Sequence, residues 1–214
     1  MRHCRSVFVL ISLLFAATTA SAEVAITISG STVVATGITA HGNAAFFGVM
    51  RGQSGSRGAV TYVDQVLADS DGDGVVTLTV QSAVPFRSVF AVVDQTSGGY
   101  AVKTPNGFPV LPLLEDGSQP LVMVDGQRQI SVQKSQVQML LVRPGVGVWN
   151  RLLSDGRPAD GDGLADGKVV GLAAGSTVEY GSSSLDGFLD GDILVLIDGY
   201  FVSVYAARIG AVAQ

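Results

Sequence analysis

The six residues Asp69-Ser70-Asp71-Gly72-Asp73-Gly74 place carboxylates at the first, third and fifth positions of a turn, with glycine at the sixth. Carboxylates at that spacing converge on a hard cation such as calcium, and the glycine permits the sharp reversal of the chain. A complete loop of this kind closes with a bidentate carboxylate at the twelfth position, where this chain has Val80. A second stretch, Ala159-Asp160-Gly161-Asp162-Gly163-Leu164-Ala165-Asp166, again sets aspartates among glycines. The candidate metal ligands are therefore Asp69, Asp71 and Asp73 in one loop and Asp160, Asp162 and Asp166 in the other. Calcium is the one cofactor they suggest. The second loop also has Asp155 nearby, a density of charge that repels itself without a counterion. Aspartate and glycine build tight turns as well, Asp by bonding its own backbone and Gly by accepting positive φ, so each loop also reads as a plain turn between strands.

Other chemistries find fewer residues. His41 is the only histidine beyond the first few positions and Cys4 the only cysteine, which leaves a zinc site without its usual donors. A serine triad would have to use His41, which stands in the turn-like His41-Gly42-Asn43, and no Gly-x-Ser-x-Gly elbow or phosphate-cradling glycine loop occurs. A glycosidase needs two carboxyl groups about 5 to 10 Å apart. Here most acidic residues lie in Asp-Gly turns, which suit solvation better than a tuned acid. The reading is noncatalytic. Carbohydrate binding is the rival, because apolar sugar faces stack on aromatic rings. Trp149, Tyr180 and Tyr200 fall near strand ends or loops, although Trp149 also reads as a core anchor and the tyrosines as strand caps.

The elements that must position these loops are strands. Val24, Ile26 and Ile28 alternate with the small residues Ala25, Thr27 and Ser29, Gly30 punctuates, and Thr32 to Thr36 reads as the returning strand. Further strands are expected at 44–50, 59–67, 75–80, 89–94 and 100–103, then at 121–125, 129–133, 137–142, 148–153, 168–172, 177–180, 192–197 and 201–205. Asp198-Gly199 marks a short hairpin between the last two. The run Ile193 to Ile197 reads as an edge strand that needs cover from that hairpin or from a partner. No stretch sustains a helical period. The two halves also echo each other: Ala45 to Arg51 matches Val137 to Arg143 at an offset of 92, each half then has an Asp-Gly loop, and Ser88 to Asp94 matches Asp192 to Asp198 at an offset of 104. Pro105, Pro109 and Pro112 oppose both helix and central strand and mark a linker over 105–112.

This pattern of strand, acidic turn, alternating Val/Thr strand, long apolar strand and Tyr-bearing strand resembles the immunoglobulin-like and fibronectin type III-like modules of bacterial exported proteins. The resemblance implies an all-β fold of two tandem immunoglobulin-like β-sandwich modules with almost no helix, one over 23–104 and one over 113–210. It departs from the immunoglobulin pattern in lacking the cysteine pair. The second Asp loop is similar to the calcium repeats of thrombospondin type 3, with its start missing. Such modules serve as spacers, adhesion units or binding domains.

Residues 1–22 read as a secretory signal: Arg2, His3 and Arg5 precede an apolar stretch from Val7 to Ala17, and Ala20-Ser21-Ala22 is a small-residue cleavage site. Removing Arg2 and Arg5 makes the formal net charge of −5 more negative by two units. That balance opposes nucleic acid and anionic membrane as partners. Without disulfides, each module must be held by burial. The expected protein is secreted to the periplasm, cell surface or medium, is not inserted in the membrane, and acts as a structural, adhesion or binding module toward a protein or glycan.

Overall fold

The structure, a computed structural model, describes residues 23–52, 60–105, 109–110, 121–124, 127–131, 137–145, 147–152, 177–179, 190–198 and 202–210. These hold fourteen strands and no α-helix: β1 (Ala25–Ser29), β2 (Thr32–Thr36), β3 (Asn43–Arg51), β4 (Val60–Ala68), β5 (Val75–Thr79), β6 (Arg87–Asp94), β7 (Tyr100–Lys103), β8 (Leu121–Val124), β9 (Gln127–Ser131), β10 (Val137–Arg143), β11 (Gly147–Leu152), β12 (Thr177–Glu179), β13 (Ile193–Asp198) and β14 (Ser203–Arg208). All pairing is antiparallel. The strands order as β1-β2-β5 and β4-β3-β6-β7 in the first half, and as β8-β9-β12 and β11-β10-β13-β14 in the second. Taken in chain order, the second half repeats the first strand for strand.

Burial explains why some strands alternate and others do not. In β1, β2 and β5 one face meets the core through Ile26, Val33, Ala35, Val76 and Leu78 while the other meets water, and the sequence alternates accordingly. Strands β3 and β6 are buried on both faces. Ala44, Phe46, Phe90 and Val92 pack with β1, β2 and β5. Ala45, Phe47, Val49, Val89, Ala91 and Val93 point the other way, into a core shared with Leu140, Val142, Ile193, Val195 and Ile197 of the second half. A strand that seals two cores must be apolar at successive positions, which accounts for the unbroken runs in β3 and β6. Gly48 breaks the run for a steric reason: it sits opposite Phe90 on the neighbouring strand, and a Cβ there would lie 2.5 Å from the ring.

The two four-stranded sheets thus meet face to face. Polar contacts lock one end of the seam. Arg208 donates from Nη2 to the carbonyls of Gly98, at 2.8 Å, and Ser97, at 3.3 Å, and the Gly145 N–H donates to the Gln95 carbonyl. Within the second half, Arg143 holds Asp192 with two bonds of 3.0 Å, Nε to Oδ1 and Nη2 to Oδ2, which fixes the end of β10 to the start of β13.

Three sequence expectations change. Ile193 to Ile197 is not an edge: β13 lies between β10 and β14 and is buried along its length, so its lack of polar positions reflects burial on both sides. β13 and β14 do pair as the expected hairpin, but Asp198 is the last ladder position of β13, paired with Ser203, and among the described residues of the connection Val202 takes a left-handed φ of +58°. The repeat offset of 92 between β3 and β10 becomes 93. Ala45, Phe47 and Val49 share the common core with residues 140 and 142, and a one-residue slip would turn every side chain to the opposite face. The expected strand at 168–172 lies outside the described residues.

Candidate metal centre

The first Asp loop joins β4 to β5, crossing from one sheet of the first half to the other. Asp69, at the end of β4, is 2% exposed, while Asp71 and Asp73 face solvent. Gly72 and Gly74 both take φ of +77°, a left-handed conformation that favours glycine. Those turns wrap the loop round the Asp69 carboxylate, which accepts the Gly72 N–H on Oδ1 at 3.1 Å and the N–H groups of Gly74 and His41 on Oδ2 at 3.0 and 3.2 Å. In return the Asp69 N–H donates to the Gly42 carbonyl, and Ile38 N–H donates to the Gly74 carbonyl. The β2–β3 connection and the Asp loop are therefore stitched into one unit. Asp73 accepts the Val75 N–H at 2.8 Å, which fixes the entry to β5.

Each of Asp69, Asp71 and Asp73 offers a carboxylate oxygen within 4.8 Å of the others, and this group could hold a metal ion. Burial alone would push the Asp69 pKa up. The Gly74 N–H, the Asp71 side chain and the N–H groups of His41 and Gly72 outweigh it, so the carboxyl is held below its usual value. The site is thus an ionised acid with two further carboxylates close by. Oδ1 of Asp69 accepts one backbone bond where Oδ2 accepts two, which leaves it acceptor capacity toward a cation.

His41 is exposed, its φ is +57°, and its ring rests on Gly72, where a Cβ would lie 2.6 Å from the imidazole. Its amide rather than its ring serves the loop. Asp160, Asp162 and Asp166 lie outside the described residues, as do Tyr180, Tyr200 and the side chain of Trp149. In chain order, residues 153–176 link β11 to β12 just as the first loop links β4 to β5.

Sequence reasoning missed a second buried carboxylate beside the site. Asp94, the last residue of β6, has no solvent exposure. It accepts the N–H of Thr39 at 3.0 Å and the Thr39 hydroxyl on one oxygen, together with the Thr96 N–H and the Ser97 hydroxyl. Burial raises its pKa, and these four donors outweigh it and hold the acid low. Asp69 and Asp94 together clamp residues 39–41 from two sides. An Asp-x-x-Ser spacing at a strand end was the available signal. No family model, curated protein or solved structure matches the chain.

Proposed function

We propose that this chain is an exported, noncatalytic structural or adhesion module built of two immunoglobulin-like sandwiches, and that calcium stiffens it through Asp69, Asp71 and Asp73. The observation that carries this reading is the convergence of three carboxylates, one buried and ionised, on a loop already fixed by backbone bonds. A preformed loop pays little conformational entropy on binding. Calcium suits it better than a transition metal because the donors are hard oxygens. The ion would neutralise the mutual repulsion of the three acids and tie β4 to β5.

The two-module reading is supported by the shared strand order, one three-stranded and one four-stranded sheet in each half, which is the strand plan of fibronectin type III-like sandwiches. Export is supported by the leader-like first 22 residues. The direct test is calorimetric titration of the chain from Glu23 onward with calcium. A saturable heat that disappears in Asp71→Asn supports the site, and an unchanged baseline refutes it.

A further inference from the structure

The polar locks of the seam, Arg208 on Ser97 and Gly98 and Gly145 on Gln95, gather at one end of the two four-stranded sheets. Counting back along the strands leads to the other end. Arg87 starts β6 eight residues before Gln95, and Gln138 lies on β10 seven residues before Gly145. At about 3.3 Å per residue both stand roughly 25 Å from the lock. This far end departs from ordinary strand chemistry three times. Arg51 and Arg87 are direct cross-strand partners, on the face that carries Val49 and Val89 into the common core, and like charges so placed repel. Gln138 pairs with Ile197, a residue of that core, so its amide faces the seam. It is 3% exposed, and its Oε1 has no hydrogen-bond partner among the described residues. Val202, in the same core, holds a left-handed φ of +58°, which strains a β-branched residue. Asp64 shares the face through its partner Phe47, but lies four residues deeper along β4 than Val60, the partner of Arg51.

Sequences sustain such departures where a site needs them. We infer that the unlocked end of the seam is a binding site for an acidic sugar, a uronic acid unit of a polysaccharide, whose carboxylate bridges Arg51 and Arg87 and whose hydroxyl donates to Oε1 of Gln138. The carboxylate removes the repulsion between the two guanidinium groups and matches their planar donor forks. The hydroxyl supplies the donor that Oε1 lacks, and a phosphate dianion has none to give. Phe86, next to Arg87 in the chain, is 44% exposed and offers a ring to the apolar face of a sugar. Gln138 lies behind the arginines, so the ligand reaches it as this end of the seam parts, and the end that parts is the one without the locks.

The test is calorimetric titration of the chain from Glu23 onward with trigalacturonic acid, run in excess chelator so that the Asp loop plays no part. A neutral trisaccharide, inorganic phosphate and a tripeptide with a free carboxyl terminus are titrated beside it. We expect a saturable heat with the acidic sugar, and an affinity at least about ten-fold lower in Arg87→Gln and in Gln138→Met, each of which loses one hydrogen-bonding group of the site. Both variants should keep or exceed the parent's unfolding midpoint, because each removes a repulsion or an unpaired group rather than a native contact. The inference is overturned if trigalacturonic acid gives no heat, if the neutral trisaccharide binds as well, or if either variant retains the parent's affinity. Tighter binding of phosphate or of the tripeptide overturns it as well.

Discussion

The backbone N–H of His41 donates to Oδ2 of Asp69 across 3.2 Å, so the buried carboxylate of the candidate metal centre is also the clamp on the β2–β3 connection. Asp69 is the buried one of the three, while Asp71 and Asp73 are exposed. Asp69→Asn removes the charge and replaces one acceptor oxygen with a donor that faces backbone N–H groups. We expect it to lower the melting temperature with or without calcium. Asp71→Asn and Asp73→Asn, at exposed positions, should leave the calcium-free protein within about 0.5 kcal/mol of the parent and abolish only the increment from calcium. Parallel melts of the three variants separate the roles.

Acid should release the same end of the fold. Asp94 and Asp69 have folded pKa values below the ordinary 3.8, so the folded state binds fewer protons than the unfolded state near and below that pH. Their contribution is complete above the unfolded pKa and is lost as pH falls through the folded values. Melts taken from pH 7 down to 2 should therefore be flat from about pH 6 to 5 and fall steeply below about 4. Asp94→Asn should start lower at pH 7 and lose less on acidification. A wild-type profile without that fall would count against the clamp.

Gln138 is 3% exposed, stands on β10 and leaves its Oε1 without a hydrogen-bond partner among the described residues. A buried, unpaired amide oxygen costs about 1–3 kcal/mol. Gln138→Met keeps the length of the side chain and removes that cost, so it should raise stability by about 1 kcal/mol. The midpoint of urea unfolding at constant slope reads this directly.

The Arg143–Asp192 pair is nearly enclosed, with the two side chains 13% and 2% exposed. Removing one partner of a buried pair leaves the other charge unpaired and costs about 3–5 kcal/mol. Arg143→Ala should approach that loss. Arg143→Lys should recover only part, because an ammonium cannot match the two-point contact on Asp192.

The strands of this fold were legible because one-sided burial writes alternation into β1, β2 and β5, and two-sided burial writes continuous apolar runs into β3, β6, β10 and β13. The runs alone could not say what lies on the second side. A bare edge awaiting cover and a central strand between two layers have the same composition, which is why Ile193 to Ile197 read as an edge. Register was misplaced by one residue between β3 and β10 because both strands are buried on both faces, so their apolar residues do not alternate and no pattern of exposed polar positions marks a face. At the site, the Asp-x-Asp-x-Asp spacing did find the residues that converge. The burial of Asp69 and the part played by Asp94 were not legible, since both depend on amides at positions 39 and 41, far away in the chain.

The most direct test of the calcium-stiffened module is a thermal melt of the chain from Glu23 onward in saturating calcium and in excess chelator, run beside the Asp71→Asn/Asp73→Asn double variant. At a calcium concentration about 100 times the dissociation constant, binding adds about 2.7 kcal/mol, which for a chain of this size raises the midpoint by roughly 5–10 °C. We expect that shift in the parent and none in the double variant. Equal midpoints for the parent in calcium and in chelator would contradict the account and leave Asp69, Asp71 and Asp73 as the residues of a turn.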